Sequence, residues 1–263
     1  MRTVTSKDGT NIAFDQSGQG PALILVHGAF MHRALDPQMA QLAELLAPHF
    51  TVFHYDRRGR GESEDTQPYT VQREVEDLEA LIDEAGGSAF VYGSSSGAVL
   101  AMEAAIELDG KIRKLAMYEA PYKSDESARR DWKEYRQNLK ELLAADRRGD
   151  AATLFLALVG MPADQLEEMR REPWFAAMEA VAPTLAYDAA VVGDDRAAPV
   201  EKAANVQVPA IVMNGSASEA FMYDTATALA KAMPNAQHRT LEGQTHAVAP
   251  EAIAPVLVEF FTA

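Results

Sequence analysis

The run Tyr92-Gly93-Ser94-Ser95-Ser96-Gly97-Ala98 sets Ser95 between glycines at minus two and plus two. A strand-like segment, Ala89 to Tyr92, precedes it and a helical one, Ser96 to Leu108, follows. A serine on so sharp a strand-to-helix turn needs small neighbours, because the flanking backbones must pass closely while the hydroxyl stands exposed above the sheet. The chemistry this allows is nucleophilic attack on a carbonyl, with the free N–H groups of the new helix facing the developing negative charge. Ser94 and Ser96 lack glycine on both sides at that spacing, so Ser95 is the candidate nucleophile. A serine needs a base, and His246, between a strand at Gln237 to Leu241 and the last helix, stands where the order Ser, acid, His requires one. Of the other five histidines, His27 reads as structural, His49, His54 and His238 flank strands without a partner motif, and His32 is placed to line a pocket.

The elements that must position these groups alternate. Asp8-Gly9 turns a hairpin between Thr3 to Thr5 and Asn11 to Gln16. Ala22 to Val26 is an unbroken apolar run, suited to a strand covered on both faces. A helix over about 35–47 and a strand over Thr51 to Tyr55 follow. The stretch Asp56 to Ser63 is too polar and glycine-rich for a core element. Val71, Val75, Leu78, Ile82 and Ala85 share one helical face, with Glu74, Glu76, Asp77 and Glu79 largely outside it. Strands over Ile112 to Tyr118 and Val208 to Asn214, and helices over Phe221 to Met233 and Glu251 to Phe261, continue the pattern. Alternation of this kind predicts an α/β fold with a mostly parallel sheet flanked by helices. Residues 122–205 break the rhythm, with helical signatures, both tryptophans and no convincing strand. They read as a helical insertion, dividing the chain into a core of 1–121 plus 206–263 and a cap of 122–205.

Composition narrows the partners. The chain has 263 residues with 24 basic against 39 acidic, a formal charge of −15, which repels nucleic acid and acidic membranes. There is no cysteine, so disulfides and cysteine-based zinc or redox sites are excluded. The N-terminus has no signal-peptide pattern and no segment reads as membrane-spanning, so the cytoplasm is the expected location. Oligomeric state is expected to be a monomer or homodimer.

Four motifs in order make the chain resemble the α/β-hydrolase family over nearly its whole length. His27-Gly28-Ala29-Phe30 is similar to the family's oxyanion loop, and Asp56-Arg57-Arg58-Gly59-Arg60-Gly61-Glu62-Ser63 to its Asp-x-Arg-Gly-x-Gly-x-Ser loop with one residue of slack. Gly93 to Gly97 resembles the nucleophile elbow and Gly243-Gln244-Thr245-His246 the histidine loop. The resemblance implies an eight-stranded α/β-hydrolase fold with an inserted helical cap, no cofactor and no metal. It also implies an oxyanion hole from the N–H groups of Ser96 and Ala29, with Gly28 the alternative second donor; each such donor typically lowers the barrier by about 3 kcal/mol.

One departure stands out. After Ala210 to Asn214 most members carry Gly-x-x-Asp, but here the run is Gly215-Ser216-Ala217-Ser218. A hydroxyl cannot stabilise an imidazolium as a carboxylate does. Glu119, at the end of the strand Leu115 to Tyr118, supplies an acid one strand earlier, at the edge where catalytic groups gather. Some branches, zearalenone-type lactonases among them, resemble this Ser-Glu-His arrangement; Glu219 and Asp224 are the alternatives. The expected activity is cleavage of a small, mostly apolar ester or lactone through an acyl-enzyme. Phe30, Met31, His32 and Phe221 from the core and Tyr122, Trp132, Phe155, Met161 and Trp174 from the cap are candidate pocket residues. The same residues would also suit carbon–carbon bond hydrolysis, perhydrolysis or lyase chemistry, and serine at 218 is the one feature favouring a non-catalytic receptor. Dehalogenases and epoxide hydrolases are disfavoured, since those branches carry aspartate at the position of Ser95.

Overall fold

The computed structural model describes residues 1–263. Eight strands form one sheet: β1 Arg2–Thr5, β2 Asn11–Ser17, β3 Ala22–Val26, β4 Thr51–Tyr55, β5 Ala89–Ser94, β6 Ile112–Tyr118, β7 Ala210–Gly215 and β8 Ala236–Leu241. Their spatial order is β1-β2-β4-β3-β5-β6-β7-β8. The hairpin β1–β2 and the β2–β4 contact are antiparallel and every other pairing is parallel. This is the α/β-hydrolase fold that the motifs imply.

The apolar run of β3 explains its place at the centre. Ala22, Ile24 and Val26 join one core cluster and Leu23 and Leu25 the other, because successive side chains leave a strand on opposite faces. Helices α1 (Pro37–Leu46) and α11 (Pro250–Thr262) cover one face; α2 (Val71–Glu84), α3 (Ser96–Glu107) and α10 (Ala220–Ala232) cover the other. The chain leaves β3 for β4 on one side and leaves β5 for β6 on the other. Their C-terminal loops therefore diverge and open a crevice, the usual place for a ligand in such sheets.

Between β6 and β7 lie only helices: α4 (Glu126–Ala144), α5 (Arg148–Leu158), α6 (Ala163–Met169), α7 (Phe175–Val181), a 3₁₀ turn (Ala182–Thr184), α8 (Leu185–Val192) and α9 (Val200–Ala203). Asp125 caps α4, accepting from the Ala128 N–H at 2.9 Å. Trp132, Tyr135, Leu156 and Leu185 of this insertion belong to the same core cluster as α3, so it is fused to that face of the sheet. Phe175–Val192 is apolar enough by composition to cross a bilayer. Here that stretch is folded as two short helices and a turn, and Asp188 within it is buried in ion pairs.

One expectation is corrected and one is extended. The stretch after β4, too polar and glycine-rich by sequence for a core element, is in the core, since Arg57, Arg58 and Arg60 are fully buried. The acids Glu74, Glu76 and Asp77, which lie outside the apolar face of α2, are buried as well. Ion pairing between loop and helix accounts for both. Arg57 holds Glu74 through two bonds of 2.8 and 2.7 Å, and Arg58 holds Asp77 at 2.8 and 2.6 Å. Forked arginine–carboxylate pairs satisfy both partners, and helix and loop can then pack charge against charge.

Candidate active site

Ser95 has φ 56° and ψ −127°, a region that L-residues rarely occupy. Its neighbours enforce this. A Cβ at Gly97 would collide with the carbonyls of Val26 and His27, and one at Gly93 would collide with the Gly97 carbonyl. Helix α3 thus starts directly against the end of β3, and the Ser95 N–H donates to the Tyr118 carbonyl at 2.9 Å. Ser96, the first residue of α3, leads with an N–H that the helix itself cannot satisfy.

The loop after β3 lies against this turn. A Cβ on Gly28 would stand 3.0 Å from the Ser95 Cβ, so a larger residue there would have to push the two loops apart by a few tenths of an ångström. Arg60 Nη1 donates to the Gly28 carbonyl at 2.6 Å and Arg57 Nη1 to the His27 carbonyl at 3.3 Å. His27 is buried, as its structural reading requires, with Nδ1 3.1 Å from Asp36 and Nε2 2.8 Å from His54 Nε2. Burial lowers His54 to about 3, so its imidazole is neutral near pH 7.

Glu119 leaves β6 in a left-handed conformation, φ 47°, with its N–H bonded to the Met213 carbonyl at 3.0 Å. Its carboxylate is buried; Oε1 accepts the Gly215 N–H at 2.8 Å and Oε2 lies 2.7 Å from His246 Nδ1. Burial alone would raise this carboxyl, but the His246 hydrogen bond, the adjacent Ser218 hydroxyl, the Gly215 N–H and the nearby imidazole bring it below the usual carboxylate range. The His246 side chain is 49% exposed, so its loop rather than packing must hold it. Tyr118 Oη donates to the Thr245 carbonyl at 2.5 Å, Ala217 N–H to the Gln244 carbonyl at 2.9 Å and Gly243 N–H to Ser216 Oγ at 2.8 Å. The segment 215–218 therefore braces the histidine loop. Ser218 Oγ is buried beside the Glu119 carboxylate without a well-formed hydrogen bond. Glu219 and Asp224, the alternative acids, are exposed and neither is hydrogen-bonded to His246.

Ser95, Ser96, Ala29 and His246 meet at a cavity of ≈ 190 Å³. No hydrogen bond joins Ser95 Oγ to His246, although both residues line this cavity. The cap supplies much of the remaining wall, including Trp132, Tyr135, Phe155 and Leu158. Trp132, Phe155 and Phe221 stand where the sequence placed them; five other expected pocket residues, and Met161 of the cap, do not. Phe30 is buried, its ring edge-on to Phe155 at 5.2 Å, so it backs the wall instead of forming it. Met31 joins it in the packing around the core cluster, and His32 is buried with its Nδ1 unpaired. Tyr122 is in the core, where its carbonyl accepts from Thr225 Oγ1 at 2.8 Å. Trp174 is 47% exposed just ahead of α7, on the outside of the cap. Bulk and apolarity mark such residues for burial somewhere, not for one cavity.

Asp188 was missed. It lines the cavity from α8 and is buried, accepting from Ser96 Oγ at 2.7 Å, Arg57 Nη1 at 2.8 Å and Arg60 Nη2 at 2.8 Å. Burial opposes its charge, but Arg60 and Arg57 hold it below the usual carboxylate range. The signal was present: a lone carboxylate within Leu185–Val192, an otherwise almost wholly apolar helix, must have a buried partner. Lys123, Tyr135, Val192 and Arg196 are further wall residues that nothing local singled out.

A family model described as "Alpha/beta hydrolase family" matches residues 23–256. An alpha/beta hydrolase from Sphaerobacter thermophilus, known as a crystal structure, is 53% identical and superposes with a TM-score of 0.88, over 99% of this chain and 100% of that one. A pimeloyl-[acyl-carrier protein] methyl ester esterase of Xanthomonas campestris pv. campestris is 32% identical over 155 residues, 52% of this chain and 57% of its own length. The chain spans about half the length of the curated relatives it matches. A thermophilic esterase from Thermogutta terrifontis shares the fold at 20% identity, with a TM-score of 0.72 over 99% and 97% of the two chains.

Proposed function

The chain belongs to the alpha/beta hydrolase family, and on that premise we propose that it is a serine hydrolase cleaving a carboxylic ester or lactone, with Ser95 as nucleophile, His246 as base and Glu119 as the acid. The observation that carries this reading is the 2.7 Å bond from His246 Nδ1 to a buried carboxylate on the strand next to that of Ser95. With Nδ1–H donated to Glu119, Nε2 is left bare to take the Ser95 proton. Ser95 Oγ then bonds to the carbonyl carbon, and the N–H groups of Ser96 and of Ala29 or Gly28 hold the resulting oxyanion. His246 returns the proton to the departing alkoxide, leaving an acyl-serine. It next takes a proton from water, whose oxygen attacks the acyl carbon, and Ser95 recovers its proton as the acid leaves.

Residues 122–205 act in this scheme as a cap whose aromatic wall shelters the acyl or alcohol part of a small substrate. Support for an ester comes from the esterase relatives. A lactone stands beside it because the Ser-Glu-His arrangement resembles that of zearalenone-type lactonases. The receptor reading rested on serine at 218, and the Glu119 carboxylate 2.7 Å from His246 Nδ1 weighs against it.

The test is labelling by a fluorophosphonate probe alongside a screen of esters and lactones of varied acyl size. Wild-type protein is expected to label and Ser95→Ala not to. Absence of labelling in folded wild-type protein refutes the active serine.

A further inference from the structure

The wall of the cavity carries two cations for which the protein provides no ion-pair partner. Lys123 lies four residues beyond Glu119 on the loop leaving β6, and Arg196 lies between α8 and α9. Both are half-buried. The Lys123 N–H donates to the Arg196 carbonyl at 2.8 Å, which ties the two loops together. Lys123 Nζ is 5.1 Å and Arg196 Cζ 6.0 Å from the centroid of the same ring, Phe221, and Arg196 Cζ is 5.4 Å from that of Trp132. The Arg196 side chain makes one hydrogen bond, from Nε to the Pro121 carbonyl at 2.7 Å, so its two terminal amino groups are uncommitted.

Two like charges drawn to one aromatic ring repel each other, and a half-buried guanidinium is costly without an anion. Arg57 and Arg60, close by, show the ordinary solution, since each holds a carboxylate. Arg196 is kept instead at φ 55°, a strained backbone for a non-glycine residue. Strain and unmet charge in one residue, at the cavity that holds Ser95, suggest an anion that arrives from outside. Its chemistry is narrowed by two features. The open edge of a guanidinium matches a planar pair of oxygens. Glu219, exposed on the same wall, and Asp125 both act on Arg196 through space, so two carboxylates already face the two cations, which suits a singly charged group better than a phosphate dianion.

We propose that Lys123 and Arg196 bind a free carboxylate of the substrate, so that the bond cleaved at Ser95 belongs to a half-ester of a dicarboxylic acid or to a lactone bearing a carboxyl group. This rests on the hydrolase reading above for the cleaved bond, but not for the anion site itself.

Matched monomethyl and dimethyl esters of linear dicarboxylic acids test it. The wild type is expected to favour the monoester by about tenfold or more in kcat/KM, through KM, with the preference shrinking as salt is raised. Arg196→Gln and Lys123→Gln should each bring the ratio towards one, and Arg196→Lys should retain part of it. Should Arg196→Gln not fold, Lys123→Gln reads the same ratio. A wild-type ratio at or below one overturns the proposal. Calorimetric titration of Ser95→Ala with monomethyl adipate and monomethyl glutarate separates the two readings. Binding that weakens about tenfold on adding Arg196→Gln or Lys123→Gln supports the anion site, even if no ester is ever turned over and the hydrolase reading has failed. Failure of the folded protein to bind either monoester overturns the site while leaving ester cleavage standing.

Discussion

Glu119→Gln preserves the side chain's shape and removes its charge, and the surroundings dictate how the amide must sit. Oε1 of Glu119 accepts the Gly215 N–H at 2.8 Å, so the glutamine carbonyl has to stay there. Its amino group then occupies the place of Oε2, 2.7 Å from His246 Nδ1. Two donors cannot face each other, and the imidazole is driven to the tautomer with a bare Nδ1 and a protonated Nε2, which cannot accept the Ser95 proton. Charge adds to this. With the charge centres about 4 Å apart at an effective dielectric of about 20, the lost attraction for the imidazolium is about 4 kcal/mol, or roughly three decades of rate. In a serine hydrolase triad, the corresponding acid-to-amide change lowers kcat by about 10⁴. The expected result is a fall of about 10³ to 10⁴ in kcat on an activated ester, with KM moving by no more than a few-fold and the melting profile retained. Ser218→Ala should stay within about threefold of wild type, since the Ser218 hydroxyl makes no well-formed bond. A Glu119→Gln enzyme within tenfold of wild type would falsify the assignment, and equal, mild effects from both variants would return the acid to Glu219 or Asp224.

Other outcomes follow from the same contacts. Asp188→Asn leaves Arg57 and Arg60 short of a buried carboxylate and should cost about 3–5 kcal/mol in urea unfolding, with activity lost as Ser96 loosens; a cost below about 1 kcal/mol contradicts the buried network. Gly28→Ala places a methyl 3.0 Å from the Ser95 Cβ and should lower kcat far more than stability; kinetics indistinguishable from wild type mean that the two loops do not pack as described. His54, lowered by burial to about 3, binds its proton in the unfolded chain near pH 6.5 but not in the folded one. Its stabilising effect is therefore complete above pH 6.5 and declines by about 1.4 kcal/mol per unit as pH falls towards 3. Unfolding free energies measured from pH 7 to 4 should fall less steeply in His54→Gln, and equal slopes would show that His54 is not the group responsible.

The elbow and the base were legible because their signals are local. Glycines two residues either side of Ser95 answer to a turn that nothing bulkier survives, and the run Ala22–Val26 announces a strand buried on both faces. Glu119 was legible for a related reason: a carboxylate just past an apolar strand marks the sheet edge where the chemistry gathers. The burial of the acids on α2 was not legible, for the opposite reason. Helical periodicity reports which side chains share a face, and says nothing of two arginines, Arg57 and Arg58, folded against that face from another part of the chain.

From the sequence alone came the order of elements, the helical insertion, the turn that strains Ser95 and the candidates for base and acid, since each depends on neighbours a few residues away. Only the folded chain decided that Asp188 of the insertion grips Ser96 across 92 positions, that Trp174 faces outward, and that Lys123 and Arg196 stand together unpaired. Spacing along a chain constrains local geometry strongly and through-space pairing hardly at all. The partner of a buried charge is chosen by packing, and packing exists only once the distant segments have met.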